Sequence, residues 1–207
     1  MSGCPRSAEL ADGCPMASMN PATNLPPASI LQMPTDTQAE FLSTERQYST
    51  IPRADTEESQ SWLYPSPRMF HNALARKGKA VEPSAIDSML AVHNELNESV
   101  WQEVLSQERS LNTQCGDVKL KRFMGRPDDL SPTAWWHVKV RGGKPPFDRH
   151  DWTIDRCGCE IRYVIDYYIN GRDQDEDISF NVHVRPALDS PAAILDRFRL
   201  WWNSKKQ

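Results

Sequence analysis

The stretch that decides the fold is DWTIDRCGCEIRYVIDYYI, residues 151–169. After its glycine, Ile161, Tyr163 and Ile165 alternate with Arg162, Val164 and Asp166, which is the two-residue period of a β-strand. Cys157-Gly158-Cys159 interrupts the segment and predicts a tight turn. We therefore expect two antiparallel strands joined at residues 157–159.

Helices and further strands lie on either side of this hairpin. KLKRFM (119–124) and ISFNVHV (178–184) have strand character. Three segments open Ser-Pro, with serine as cap and proline in the first turn, and predict helices from about Pro67 to Lys77, from Pro132, and from about Pro191 to Asn203. A longer helix is expected from Ser84 to about Leu111, with a break where asparagines weaken it, near Asn94–Asn97.

These elements are grouped rather than strictly alternating, which favours an α+β fold. We expect several helices packed with a small antiparallel sheet, preceded by a disordered N-terminal tail. Residues 1–60 hold seven of the 16 prolines and have a net charge of −5, from three basic and eight acidic groups. Such a segment buries too little apolar surface to offset its ordering entropy. We assign residues 1–60 to a flexible tail and residues 61–207 to one domain.

Charge and hydropathy exclude several classes of protein. Residues 61–207 carry 21 basic and 20 acidic groups, so they lack the basic surface that nucleic acid demands. No run approaches the 18 or so apolar residues of a membrane span. The first 30 residues contain no apolar signal core, and the tail is not an Arg-rich transit peptide. We expect a soluble chain with no cleavable targeting segment.

The cysteines are odd in number and irregular in spacing. The five fit no zinc pattern, and their low density does not favour a disulfide framework. Two of them, Cys4 and Cys14, lie in a repeated Gly-Cys-Pro tripeptide ten residues apart. Such Cys-Pro motifs resemble haem-responsive motifs, since thiolates are haem ligands. The alternative is that they are two incidental tail cysteines.

A histidine lies on the apolar side of the long helix, in AVHNELNESVWQEVL (91–105). At helical spacing His93 shares one face with seven apolar residues, Met89, Leu90, Leu96, Val100, Trp101, Val104 and Leu105. A buried imidazole needs partners for both nitrogens. Either His93 is a satisfied core residue, or it is the neutral ligand of a haem iron, with Asn97 one turn away as its support.

Four other positions have two interpretations each. PPFDRHDW (145–152) places acids, a base and His150 close together in one predicted turn. This turn is either a rim that binds carboxylates or a turn that its own ion pairs stabilise. Arg156 is suited to a haem propionate or to solvent. Trp62 in WLYPS is either a flat wall for a planar ligand or a core residue. Trp201 and Trp202 suit a membrane surface as well as domain packing.

A family resemblance adds to these patterns. Several long strings of this chain, in the same order, resemble cytochrome c haem lyases, also called holocytochrome c synthases. The resemblance covers about residues 50–202 and the Cys-Pro motifs. The strings are IPRADTEES, WLYPSPRMFHNALARKGK, HNELNESVWQEVL, LSPTAWWH, PFDRHDWTIDRCGCEIRYVIDYY and VRPALDS.

The resemblance implies covalent attachment of ferrous haem b to apocytochrome c, or to cytochrome c1, in the mitochondrial intermembrane space. The two thiols of a C-x-x-C-H segment would add to the haem vinyl groups. By the same resemblance His93 is the axial ligand, Trp62 lines the haem site and Glu98 orients the haem or its ligand. His150 and Arg156 are further carry-overs, and the enzyme would lie peripherally on the inner membrane.

The chain departs from the family pattern in places. KGKAVEP replaces a tryptophan-rich stretch, His71 stands where an aromatic is common, and the CGC string has Cys159 as an additional cysteine. Substrate preference stays open on these grounds. Two other functions fit the same residues: a non-enzymatic haem-binding chaperone or sensor, and an interaction module without haem.

Overall fold

The computed structural model describes residues 23, 28–34, 39–54, 60–79, 81–111, 115–126, 129–170 and 179–205. Cys4 and Cys14 lie outside these residues. The helices are α1 (Ala28–Leu31), α2 (Pro67–Arg76), α3 (Pro83–Ser110), α4 (Pro132–Arg141) and α5 (Pro191–Ser204). The strands are β1 (Tyr48–Pro52), β2 (Ser61–Leu63), β3 (Val118–Gly125), β4 (Asp148–Arg156), β5 (Cys159–Asn170) and β6 (Ser179–Pro186). The predicted α+β class is confirmed.

The three Ser-Pro helices begin where the sequence predicts. In each, the serine hydroxyl accepts a hydrogen bond from the amide three residues on, and proline occupies the first turn, where its missing N–H costs nothing. The capping residues are Ser66 of α2, Ser131 of α4 and Ser190 of α5.

Helix α3 differs from the prediction in two ways. It begins at Pro83, so that Ser84 lies inside its first turn. It also runs without the break predicted near residues 94–97. The low helix propensity of Asn97 is offset because its side-chain amide donates to the His93 carbonyl, 3.0 Å away, and lies buried in the fold.

A four-stranded antiparallel sheet in the order β3-β4-β5-β6 forms the centre of the fold. The predicted hairpin pairs Arg156 with Cys159 and Ile154 with Ile161. At its turn Cys157 and Gly158 both have positive φ, 49° and 88°, as the tight two-residue hairpin turn requires. Because β5 alternates, Tyr163 and Tyr167 lie on one face of the sheet and Asp166 lies on the other.

A second, two-stranded sheet was not anticipated. β1 and β2 pair antiparallel, and β1 lies in the segment assigned to a flexible tail. That assignment is wrong for residues 48–52, because Ser49 and Ile51 alternate inward and are buried. A three-residue partner such as β2 is too short to show a period in sequence. For the other residues of 1–60, the assignment to a flexible tail stays a prediction.

The chain divides into two compact units, Met1–Glu45 with Pro65–Asp87, and Arg46–Tyr64 with Ser88–Gln207. In the first unit, the buried Asn72 of α2 donates to the carbonyls of Leu31 and Met33, at 2.8 Å each. Arg68 donates to the Glu40 carbonyl at 2.7 Å. These bonds hold α2 to α1 and to the 3-10 turn Ala39–Phe41.

The second unit has helices on both faces of the large sheet. α3 packs on the face that carries Tyr163 and Tyr167, where the Tyr163 hydroxyl donates to Glu108 at 2.6 Å. On the other face the Ser131 hydroxyl, at the start of α4, donates to the fully buried Asp166 at 2.7 Å. The apolar core lies under α3, around Val100, Trp101 and Val104.

A disulfide joins Cys115 to Cys157, with a Cα–Cα distance of 5.7 Å. The sequence did not favour disulfides, and this expectation is wrong for one pair. The two cysteines are 42 residues apart, and the pairing of Val118 with Arg156 brings them together at the end of β3 and β4. Spacing alone does not reveal that register. In the part of the chain that the structure describes, no helix is both long and apolar enough to span a bilayer.

Candidate functional site

His93 lies half-buried on α3. Its Nδ1 atom is 3.4 Å from Oδ1 of Asn94 and 3.3 Å from Nδ2 of Asn97, and its Nε2 atom is 3.4 Å from the same Nδ2. An imidazole that binds a metal through Nε2 must donate its Nδ1–H to an acceptor. Asn94 offers that acceptor, whereas the Asn97 amide nitrogen is itself a donor. The sequence named Asn97 as the support, and the geometry adds Asn94 as the residue of the right polarity.

Asn97 fixes the orientation of this part of α3. Its Oδ1 accepts from the Tyr167 hydroxyl at 3.4 Å, and its Nδ2 donates to the His93 carbonyl at 3.0 Å. Burial raises the pKa of Tyr167, and Asp148 raises it further, so the phenol stays a neutral donor. The β5 strand is thereby connected to the turn of α3 that carries His93.

His150 reaches the same place through Tyr167. The two rings meet edge to face with centroids 5.3 Å apart, and His150 Nε2 lies 3.4 Å from the Asp148 carboxylate. Its Nδ1 is buried and has no hydrogen-bond partner among the described residues. Tyr167 therefore contacts both His150 and Asn97, and Asn97 in turn contacts His93 one turn earlier on α3.

An exposed apolar patch adjoins Tyr167. The Phe147 ring is centred 6.1 Å from that of Tyr167 and 6.1 Å from that of Phe180. Ile169 pairs with Phe180 across β5 and β6 and is 46 % exposed. We call Phe147, Ile169 and Phe180 the Phe147 patch. Large exposed apolar groups beside a histidine offer a surface for a flat apolar ligand.

Glu98 points to the small sheet. Its carboxylate accepts from the Thr50 amide at 3.0 Å, from the Thr50 hydroxyl, and from the Tyr64 hydroxyl at 2.8 Å. Burial alone would raise the pKa of Glu98, but the hydrogen bonds from Thr50 and Tyr64 outweigh it and hold the pKa below its ordinary value. The described contacts of Glu98 are thus to residues of and beside β1–β2, on a different side of α3 from His93.

Replacing Glu98 with glutamine is expected to loosen the small sheet at neutral pH. Because the pKa of Glu98 is lower in the folded state, its contribution to stability is present above the unfolded-state pKa and is lost as the pH falls through the folded-state pKa. Urea midpoints of wild type and Glu98→Gln should differ at pH 7 and converge once the pH has fallen below the folded-state pKa of Glu98. Glu95→Gln, an exposed change one turn away, is the control. A difference that is independent of pH would contradict this role.

Trp62 is a core residue, one of the two alternatives that the sequence left open. It is 8 % exposed, and its indole N–H donates to the Leu120 carbonyl at 3.0 Å. The ring meets Phe123 edge to face at 5.3 Å, and the Arg53 guanidinium lies 4.7 Å from its centroid. These contacts fix the indole in place; its predicted role as a haem wall stays a prediction.

Arg156 lies at the other end of α3. Its guanidinium donates to Glu108 at 2.5 and 2.6 Å and to Asp196 at 2.8 Å, which joins β4, α3 and α5. Fifteen residues of helix separate His93 from Glu108, about 22 Å at 1.5 Å per residue. The structure therefore does not bring Arg156 to His93.

Several residues of this arrangement were missed from sequence. Asn94, Tyr167 and Thr50 acquire their roles through contacts across the fold, which no local pattern reveals. Glu108 did leave a signal, because it follows Val104 by four residues and Trp101 by seven on the apolar face of α3. A carboxylate at such a position predicts a buried cationic partner.

Comparison with known proteins identifies the family. A family profile described as "Cytochrome c/c1 heme lyase" matches residues 5–201. The chain belongs to the cytochrome c/c1 heme lyase family. It is therefore an enzyme of the lyase class that takes haem as substrate and acts in cytochrome c maturation. The resemblance stated from sequence is confirmed.

Individual relatives agree with this membership. The chain is 40 % identical over 207 residues to a holocytochrome c-type synthase of Bos taurus, which covers 91 % of this chain and 72 % of the relative. A Homo sapiens protein of the same name is 41 % identical over 197 residues, covering 89 % and 70 %. The holocytochrome-c synthase of Saccharomyces cerevisiae is 36 % identical over 231 residues, covering 95 % and 85 %. No solved structure matches the chain.

Proposed function

We propose that this haem lyase joins ferrous haem b to apocytochrome c through thioether bonds, with His93 as the axial ligand that the enzyme contributes. Each of the two thiols of a C-x-x-C-H segment would add across one vinyl group, with sulfur forming a bond to one vinyl carbon and a hydrogen going to the other. The addition leaves the oxidation state of the pair unchanged, so the enzyme has to position the reactants. Positioning of this kind contributes several kcal/mol, roughly 7–11 in the most favourable systems.

The support for this proposal is the environment of His93. It combines a half-buried imidazole with an acceptor at Asn94 for the second ring nitrogen. The Phe147 patch lies beside Tyr167, whose hydroxyl donates to Asn97 one turn from His93. Asn97 and Tyr167 hold the α3 turn in register with β5. In this scheme the histidine of the substrate approaches the opposite side of the iron, which brings its neighbouring thiols to the porphyrin edge.

The other predicted site residues have supporting roles in this scheme. His150 lies beside Tyr167, which donates to Asn97 of α3, and in this scheme it forms a polar rim for a propionate or a proton. Glu98 and Trp62 position α3 and β3 through the small sheet, and Arg156 positions α3 against α5. Cys4 and Cys14 are proposed as a haem-receiving pair upstream of the domain.

The experiment that tests the function supplies ferrous haem and an apocytochrome with a C-x-x-C-H segment. Haem that stays with the denatured cytochrome is the expected product, and its amount should follow the concentration of the lyase. A substrate with both cysteines changed to serine is the matched control and should yield none. Stable haem uptake without covalent product would overturn the proposal and favour the chaperone or sensor alternative.

We also propose that the enzyme acts in the mitochondrial intermembrane space, on the inner membrane and on apocytochrome c or c1. A disulfide persists in oxidising compartments, in agreement with the Cys115–Cys157 bond. α5 exposes five apolar side chains, Ile194, Leu195, Phe198, Trp201 and Trp202, and α4 exposes Trp135 and Trp136. Basic Lys139, Arg141 and Arg199 are exposed on the same two helices, a composition suited to an anionic bilayer surface.

Replacing Trp201 and Trp202 with serine is expected to weaken binding to lipid vesicles by about tenfold, since both indoles are half-exposed and would leave the bilayer interface. Co-sedimentation with vesicles of anionic phospholipid measures the effect, with zwitterionic vesicles for comparison. Phe41→Ser removes an even more exposed aromatic, 90 % exposed, from another part of the chain and is the control. Equal binding of all three proteins would exclude this surface as the site of attachment.

A further inference from the structure

Three cysteines meet at one end of the large sheet. The Cys115–Cys157 disulfide connects the segment before β3 to the turn between β4 and β5, with the two Cα atoms 5.7 Å apart. Cys159 begins β5, two residues after Cys157, and its thiol is free and exposed. A disulfide and an accessible thiol therefore share a single hairpin.

The backbone of Cys157 is in an uncommon conformation. Its φ of 49° is the one positive value for a non-glycine residue in the described part of the chain, and the next residue, Gly158, has a φ of 88°. Side chains disfavour this left-handed region, and tight hairpin turns usually place asparagine, aspartate or glycine there. Strained residues of this kind cluster at functional sites, where the surrounding structure maintains them.

We propose that Cys115, Cys157 and Cys159 form a thiol–disulfide exchange site that reduces a disulfide between the two cysteines of the apocytochrome substrate. The inference rests on the proposed function, in which both substrate cysteines must be thiols before they can add to a vinyl group. A C-x-x-C pair that has oxidised cannot react, so an enzyme acting in an oxidising compartment gains from a means to reopen it.

The exchange proceeds in balanced steps from the reduced site. The Cys159 thiolate attacks one sulfur of the substrate disulfide, which forms a mixed disulfide and releases one substrate thiolate. The Cys157 thiolate then attacks the Cys159 sulfur, which releases the second substrate thiol and leaves a Cys157–Cys159 bond. Finally the Cys115 thiolate attacks Cys157 and frees Cys159. The end state is the observed arrangement, a Cys115–Cys157 disulfide with a free Cys159.

Two electrons pass from the site to the substrate in each cycle. They are replaced by a small monothiol of the glutathione class, two molecules of which reduce the Cys115–Cys157 disulfide and leave as one oxidised dimer. The exposure of Cys159 gives such a thiol access to the hairpin. No metal or further cofactor takes part.

The exchange site lies apart from the haem-binding region. Cys157 follows Arg156, which contacts Glu108 on α3, about 22 Å along the helix from His93. Thiol reduction and haem attachment are therefore separable by mutation. A purely structural disulfide is the competing explanation, and it predicts that Cys159 has no role and that small thiols leave the bond intact.

The test uses the full chain with Cys4→Ser and Cys14→Ser, so that the only cysteines left are Cys115, Cys157 and Cys159. A C-x-x-C-H peptide carrying an internal disulfide is incubated with reduced glutathione, with and without the protein, and peptide thiols are counted by alkylation and mass spectrometry. We expect the protein to accelerate thiol release about tenfold over glutathione alone, and Cys159→Ser to lower the rate to that background. Ser106→Ala, an exposed change on α3, should have no effect.

A second variant traps the intermediate. Cys157→Ser removes the resolving thiol, so the mixed disulfide between Cys159 and the peptide should accumulate to a mass that mass spectrometry detects. If the wild-type rate equals glutathione alone and no adduct forms, the disulfide is structural and the inference fails. Haem attachment to a pre-reduced apocytochrome is measured in parallel in a chain that keeps Cys4 and Cys14, and Cys159→Ser should retain it in full. If the wild-type protein attaches no haem to the pre-reduced apocytochrome, the result would instead count against the proposed function.

Discussion

Replacing His93 with alanine is expected to abolish thioether product, lowering its rate of formation by at least about 100-fold. The substitution removes the proposed enzyme-side ligand and leaves the haem without a bond from the enzyme to its iron. The absorption spectrum of the ferrous haem complex should change at the same time, because one axial nitrogen is lost. Product formation and the spectrum are measured on the same folded protein, with circular dichroism as the check of folding.

Two further variants keep this prediction testable. His183→Ala removes an exposed histidine on β6 and is the matched control, for which full product formation is expected. His93→Gly with added imidazole should regain part of the wild-type spectrum and product, since free imidazole can enter the space left by the side chain. Full synthesis by His93→Ala would refute the ligand assignment. Failure of imidazole rescue in a folded variant would favour the core role of His93.

Replacing Arg156 with alanine is expected to destabilise the protein by about 3–5 kcal/mol, the usual cost of removing one partner of a buried ion pair. Glu108 and Asp196 are 2 % and 5 % exposed, and the substitution would leave both carboxylates near each other without their shared cation. The free energy of unfolding from urea titration measures the loss. Haem binding should fall only as far as the folded fraction falls.

Arg199 provides a control at the same carboxylate. Its guanidinium is 3.8 Å from Asp196 but 63 % exposed, so Arg199→Ala should cost less than about 1 kcal/mol. Similar losses for the two variants would show that burial of the Arg156 network contributes little. A stable Arg156→Ala protein that no longer binds haem would restore the propionate-binding role that the chemistry of arginine suggested.

The sequence predicted most of the large sheet and the helix starts for physical reasons that act locally. Ser-Pro caps act within one turn of α2, α4 and α5. The alternation of side-chain types that predicts β4 and β5 is found in consecutive residues. The small sheet escaped prediction because β2 has three residues and because its partner β1 lies in a proline-rich, acidic segment. The supposed break in α3 was wrong, since tertiary hydrogen bonds of Asn97 override its weak propensity.

The candidate site could be predicted only in part. Spacing placed His93 and Asn97 on one face of α3, and the structure retains that relation. Glu98 follows His93 by five residues, about 140° around the helix, and the unbroken helix directs it to Thr50. The grouping of His150 with Tyr167, the core position of Trp62 and the distance of Arg156 all depend on the register of β3, β4 and β5, which no local pattern supplies.

The uninterrupted course of α3 has a consequence for the order of events on one substrate molecule. The two cysteines of a C-x-x-C segment are three residues apart and can span at most about 11 Å, even when the chain is fully extended. The helix sets the exchange hairpin and the imidazole about twice that distance apart. If both proposals hold, a substrate tethered through sulfur at the hairpin cannot meet the iron at the same moment. It would have to be released before it is haemylated, so that a cysteine in a mixed disulfide would not compete for the porphyrin.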